Sequence, residues 1–142
     1  MSIEQTKKLK TKISIYKKML AILHDLLDKW NKLYILKLIE KTAIEAGVVV
    51  GSQTYKEGLA VIEAESQFNP KAKYYNKDGS WDLGLCQFSN YWYWIKEQII
   101  HPTDAMIPEK ALPVFWEYFP ERKNDWIAYR NKSYVKYMDF RF

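Results

Sequence analysis

The sequence predicts a mainly α domain of the α+β kind, with a small β or irregular lobe and a long amphipathic helical segment at the N-terminus. Three observations carry this. Apolar residues recur at helical spacing from Leu9 to Tyr34, with no Pro or Gly before Gly47. Helical stretches then alternate with breaks at Asn69-Pro70, His101-Pro102 and Pro120. Between Ala72 and Leu83 helical periodicity gives way to turn chemistry. At 142 residues, 48% of them hydrophobic, the chain can fill one core but is short for two. The expected division is a basic amphipathic helical segment over residues 1–46 and a domain over residues 47–142.

The first segment reads as helix over residues 3–46, either one helix or two with a break near Asn31. Leu9, Ile13, Tyr16, Leu20, Leu23, Leu27, Trp30 and Tyr34 follow alternating spacings of four and three, a heptad-like stripe. Ile15, Met19, Ile22, Leu26 and Leu33 form a second row beside it. The plain expectation is that this face packs on the rest of the domain; a parallel coiled-coil dimer is the alternative. The chain's net charge of +5 sits here too, because residues 1–46 hold ten Lys and five acids while residues 47–142 hold twelve of each sign. Lys7, Lys8, Lys10, Lys12, Lys17 and Lys18 make a docking element or a contact with an anionic surface, or simply a solvated helix face.

Gly47 to Gln53 is a connector, and Ser52 or Thr54 can cap a helix over Thr54–Phe68. That helix stops before Pro70, which disfavours helix in the preceding residue. Ala72 to Leu83 is irregular or a small hairpin, turning at Asn76-Lys77-Asp78-Gly79-Ser80, where Gly79 is free to take positive φ. Leu85–Ile100, Pro108–Tyr118 (with Pro113 an awkward member) and Asp125–Met138 read as further helices.

Within this frame the chemistry concentrates between Glu65 and Gln87. Val61, Glu65 and Phe68 fall on one helical stripe, so Glu65 projects between two apolar neighbours at a helix end. Desolvation there favours the neutral acid and raises its pKa, as a general acid near neutral pH requires. Asp82 is a second carboxylate just past the turn. Two roles are open for it: nucleophile or electrostatic stabiliser in a retaining glycosidase, with carboxyl groups about 5–5.5 Å apart, or acceptor of backbone N–H groups that brace the turn.

Other constellations are weaker. An EF-hand frame over Tyr74–Leu85 lacks its first and last ligands. His24 and His101 have no partners at ligand spacing, so no metal and no cofactor is expected. The single cysteine, Cys86, excludes an internal disulfide and reads as a small buried filler. Aromatic residues make up 16%, more than a core this size needs; Trp81 and part of the Tyr91-Trp92-Tyr93-Trp94 run can stack on flat sugar faces. The lysines and rings together also admit nucleic-acid binding, but no nucleic acid is expected as a partner.

Glu65-Ser66-x-Phe68-Asn69-Pro70-x-Ala72 followed by Gly84-Leu85-x-Gln87 resembles the soluble-type lytic transglycosylases (SLT domains) of the lysozyme superfamily, particularly the small ones found with secretion and pilus systems. The middle stretch, Asn76-x-Asp78-Gly79-Ser80-x-Asp82, is similar to animal-type lysozymes. Downstream, Trp126-Ile127-Ala128-Tyr129 resembles the family's late Ala-Tyr-Asn element, with Arg130 where the family has Asn, and Cys86 stands where it usually has Met. The resemblance does not reach residues 1–50.

It implies a lysozyme-like fold, a peptidoglycan glycan strand as substrate, and Glu65 as the acid/base. Ser66, Gln87, Tyr129 and, by stacking, Trp81 are the implied substrate contacts, and Asp82 matches the second lysozyme carboxylate. The implied activity is cleavage of the N-acetylmuramic acid–N-acetylglucosamine bond, as a lytic transglycosylase forming 1,6-anhydromuramyl ends or as a hydrolytic muramidase. A non-catalytic structural or glycan-binding component of a phage or secretion particle is a further alternative. The segment Met19–Leu23 is too short for a secretory signal, and no apolar run approaches a transmembrane length. The expectation is therefore a protein that reaches the cell wall by another route, phage-encoded, virion-associated or exported by a dedicated machine.

Overall fold

Helices dominate the structure, with one small antiparallel sheet set between them. The computed structural model describes residues 1–90 and 93–138, with nothing stated for the side chain of Tyr93; the aromatic residues Tyr91 and Trp92 lie outside the described residues. The chain forms two compact units, Met1–Tyr34 and Ile35 onward. The division falls before residue 46 because the last turns of the first helix, α1 (Ile3–Glu45), bury Ile35, Ile39, Thr42 and Ala43. Those positions recur at three- and four-residue spacing, so one face of the helix enters the core of the second unit. In the first unit both apolar rows are exposed, from Ile13 at 44% to Trp30 at 70%.

The next helix, α2 (Gln53–Ser66), starts at Ser52, whose hydroxyl accepts from the Tyr55 N–H at 3.2 Å. It ends earlier than expected. Gln67 and Phe68 both adopt left-handed backbone, φ 54° and 60°, and the buried Phe68 ring holds that conformation. Glu65 is thereby left in the last helical turn.

The hairpin is part of a three-stranded sheet. β1 (Lys73–Tyr75) pairs with β2 (Trp81–Leu83), which pairs with β3 (Phe88–Ser89). The register sets Tyr74 opposite Asp82 and Asp82 opposite Ser89. In the turn Asp78 Oδ1 accepts from the Ser80 N–H at 2.9 Å and the Ser80 hydroxyl at 2.6 Å, while Asn76 donates to Ser80 Oγ at 3.0 Å. Asp78, not Asp82, does the bracing.

Leu85–Ile100 is not one helix. Gln87 turns the chain with φ 53°, and Phe88–Ser89 pairs with β2 as a strand. Helix returns only in α3 (Tyr93–Lys96) and α4 (Pro102–Ala105). By contrast α5 (Pro108–Arg122) continues through both Pro113 and Pro120. An interior proline costs about 3 kcal/mol, and burial of Leu112, Phe115, Trp116 and Phe119 along the same helix offsets it. Asp125–Met138 is also broken: a 3₁₀ turn at Lys123–Asp125, one α turn, α6 (Ile127–Arg130), then 3₁₀ again at Val135–Tyr137. The break is local, since Asn131 Oδ1 accepts from Ser133 N–H at 2.9 Å and Lys132 takes φ 62°.

The core is aromatic. Phe115, Phe119, Phe88 and Trp94 all pack around Trp126, with ring centroids 5.0–6.1 Å away. Trp116 Nε1 donates to the Ile39 carbonyl at 3.1 Å, tying α5 to the buried end of α1. Trp126 Nε1 donates to the Cys86 carbonyl at 2.9 Å, tying the approach to α6 to the turn between β2 and β3. The second of these bonds holds Trp126, which lines the cleft described next, against the sheet.

Candidate active site

A cleft of about 660 Å³ opens in the second unit between the end of α2, the sheet, and the segment from Arg122 to Arg130. Glu65, Asp82 and Gln87 all line it. Asn76, Asp78, Ser80 and Ser89 contribute from the sheet side, and Trp94 and Trp126 from the aromatic core. Lys77, Arg122 and Arg130 bring positive charge to its lining.

Glu65 reaches the cleft from the last turn of α2. Its Oε1 accepts from the Ala128 backbone N–H at 2.8 Å, joining α2 to α6. Burial pushes its carboxyl from an ordinary 4.5 up to about 7. The Ala128 bond opposes that rise, the Asp82 charge adds to it, and Arg130 opposes it weakly, so desolvation wins. At neutral pH the group is divided between acid and carboxylate, the state a proton donor that must later accept needs.

Asp82 occupies the central strand and is 8% exposed. Burial raises its carboxyl too, against hydrogen bonds from Asn76 and Ser89, with Asp78 adding repulsion. The two donors come from opposite neighbours: Asn76 directly follows β1, and Ser89 faces Asp82 across the β2–β3 ladder. Gln87 is oriented by its own donor, Nε2 bonding to the carbonyls of Gly84 at 2.8 Å and Ala72 at 3.2 Å. That leaves its side-chain oxygen as an acceptor.

The other three expected contacts stand away from the cleft lining. Ser66 is buried, and its hydroxyl donates to the Ile62 carbonyl at 3.0 Å inside its own helix. Tyr129 stacks on Tyr134 at 5.0 Å and hydrogen-bonds to Glu57, a buried carboxylate paired with Lys123 at 3.3 Å. Trp81 is partly exposed on the outer face of β2, its ring 4.8 Å from that of Tyr75.

Two cleft residues, Ser89 and Arg122, carried no sequence signal, and Ala128 enters the sequence reading only as part of the Ala-Tyr element. Ala128 acts through its backbone N–H, which its side chain does not advertise. Ser89 lies on a two-residue strand hidden in a stretch that reads as helix. Arg122 sits in α5, its guanidinium 4.8 Å over the Trp94 ring and ion-paired with Asp125. The Trp94 and Trp126 rings beside it, centroids 5.0 Å apart, are buried and meet the cleft only at their edges.

Among the described residues, no three His, Cys, Asp or Glu side chains converge as a metal ion requires. Cys86 is fully buried and its thiol is pushed well up by desolvation, with Glu65 adding repulsion. The folded protein should therefore resist alkylation by iodoacetamide at pH 8, and the denatured protein should react within minutes. Mass spectrometry distinguishes the two; rapid stoichiometric labelling of the folded chain contradicts this burial.

Comparison with protein-family models and with curated proteins returns no match.

Proposed function

We propose that this protein is a peptidoglycan-cleaving enzyme with a lysozyme-like catalytic domain, acting as a lytic transglycosylase on the bond between N-acetylmuramic acid and N-acetylglucosamine. The observation that carries the reading is Glu65: a carboxyl raised to about 7 by burial, hydrogen-bonded to Ala128 and facing a sheet-lined cleft of sugar-binding size. The motif Glu65-Ser66-x-Phe68-Asn69-Pro70 supports the substrate class. The wall lies outside the cytoplasm, so the site of action is periplasmic or extracellular.

In this reading protonated Glu65 donates to the glycosidic oxygen as the bond to muramyl C1 breaks. The carboxylate so formed takes the proton of the muramyl 6-hydroxyl, whose oxygen attacks C1. A 1,6-anhydro ring closes, Glu65 recovers its proton, and no water is consumed. The substrate's acetamido group stabilises the oxocarbenium-like state. Gln87 accepts from a sugar hydroxyl, and Arg122 and Arg130 suit the acidic groups of the muramyl side chain.

One observation favours a second reading, hydrolysis. Asp82 lines the same cleft as Glu65 and acts on it electrostatically, so a second carboxylate is at hand for a retaining hydrolase. Product analysis by mass spectrometry separates the two. Anhydromuramyl ends, with Asp82→Asn retaining activity within about tenfold, are expected; reducing ends, with Asp82→Asn slower by about 10²-fold or more, assign hydrolysis. Intact walls after prolonged incubation with wild type reject both.

A further inference from the structure

The cleft is lined by residues from Glu65 to Arg130, which leaves the first unit, Met1–Tyr34, without a part in it. That unit has two properties of its own. Its eight Lys and three acidic residues give it +5, the whole net charge of the chain, while the remaining 108 residues carry fourteen charges of each sign. From Ile13 to Tyr34 its two apolar rows together sweep about half of the helix circumference, at 100° per residue. Every charged side chain in that span, from Lys17 to Lys32, falls on the other half. Both rows are exposed, Leu20 at 55% and Trp30 at 70% among them.

The width of the apolar half decides what covers it. A two-stranded coiled coil buries a seam of two positions in seven. Here that seam is the Leu9-to-Tyr34 stripe, and pairing two copies through it covers Met19, Leu26 and Leu33 only along its flank and leaves Ile15 and Ile22 in water. The flanks also oppose pairing: in a parallel dimer Lys12 of one copy meets Lys17 of the other, like charge on like. An anionic polymer satisfies the lysines and leaves the apolar half unused. An anionic bilayer surface accounts for both, since a basic amphipathic helix lies in the interface with its apolar half among the acyl chains and its lysines at the phosphates. The first turns add to this, with Lys7, Lys8, Lys10 and Lys12 crowded ahead of the apolar span. Among the described residues no helix is long and apolar enough to cross a membrane.

We infer that Met1–Tyr34 is a membrane-surface anchor that binds bilayers rich in anionic phospholipid, with its half-circumference of apolar residues in the interface and its lysines on the headgroups. This stands apart from the proposed chemistry, since vesicle binding is read without any wall substrate.

The test uses the full chain and large unilamellar vesicles, either equimolar phosphatidylglycerol and phosphatidylcholine or phosphatidylcholine alone, with binding followed by flotation. Wild type should float with the anionic vesicles at least about tenfold more strongly than with the neutral ones. The combined variant Lys7→Gln, Lys8→Gln, Lys10→Gln and Lys12→Gln should lose about tenfold or more of that preference. Leu20→Glu with Leu27→Glu, both at exposed positions that leave the core untouched, should abolish binding to either vesicle. Failure of wild type to float, or equal binding to the two vesicles, overturns the anchor. Binding that needs the lysines but survives Leu20→Glu with Leu27→Glu reduces it to a polyanion contact and overturns the interfacial burial. A stable oligomer in sedimentation velocity that Leu20→Glu with Leu27→Glu dissolves, with no flotation by wild type, assigns the face to a second copy.

Discussion

Glu65→Gln is expected to slow muropeptide release from purified cell walls by about 10³-fold or more while leaving the protein folded. Glutamine keeps the shape and an acceptor oxygen for the Ala128 N–H, 2.8 Å away in the wild type, but supplies no transferable proton. The loss exceeds that of an ordinary acid because, in the one-carboxylate mechanism, the same group gives a proton and then takes one. Release by the variant within tenfold of wild type would remove Glu65 from the chemistry. The raised pKa gives the variant a second signature. Wild-type activity requires the protonated acid, so it should fall about tenfold per pH unit above about 7, following the Glu65 carboxyl.

Stability should move in the opposite sense to that expected of a salt-bridged acid. The folded state holds the Glu65 proton more tightly than the unfolded chain does, because its carboxyl stands at about 7 instead of 4.5. The stability this contributes is complete below pH 4.5 and is lost as pH rises to about 7. A shift of that size corresponds to about 3 kcal/mol at full burial, and partial exposure of Glu65 brings it to about 2. Urea melts of Glu65→Gln and wild type should therefore diverge between pH 4.5 and 8, the variant becoming the more stable. Parallel curves across that range would mean that burial does not raise the carboxyl.

Local patterns were legible and long-range ones were not. The turn from Asn76 to Ser80 and the Ser52 cap each depend on residues within four positions, and both stand as the sequence suggests. The position of Glu65 at a helix end followed from Pro70 and the apolar spacing around it. β3 was missed because Phe88 and Ser89 become a strand only against β2, and the surrounding aromatics carry no turn signal. Pro120 was read as a stop because a proline's cost is local, whereas the burial of Phe115, Trp116 and Phe119 that offsets it is tertiary. Among the implied substrate contacts, Gln87 reaches the cleft while Ser66, Tyr129 and Trp81 do not line it. Ser66 is satisfied within α2, and Tyr129 is drawn toward Glu57, a buried partner that spacing along the chain does not reveal.

Gly84→Ala should have the largest effect on the fold, about 3 kcal/mol or more. Gly84 links β2 to the turn that carries Gln87, and its N–H donates to the Ala72 carbonyl at 2.7 Å. Its φ is +77°, a left-handed conformation that strains any side-chain-bearing residue. Strain of that kind alone costs about 1–2 kcal/mol. The space is also taken: a Cβ at Gly84 would stand 1.8 Å from the Ala105 carbonyl oxygen. That oxygen belongs to the backbone of α4, so no rotamer change relieves the clash and either the sheet or α4 must move. Movement there pulls on Asp82 two residues before and Gln87 three residues after, both in the cleft lining. Thermal melts should show a drop of well over 5 °C relative to wild type, and any soluble Gly84→Ala protein should lose wall-cleaving activity with Glu65 intact. A melting point unchanged within a degree would show that α4 does not press against β2 as closely as this contact requires. The glycine of the Gly84-Leu85-x-Gln87 motif thus has a physical reason independent of any resemblance: it lets α4 approach the strand that carries Asp82, which lines the cleft that Glu65 faces.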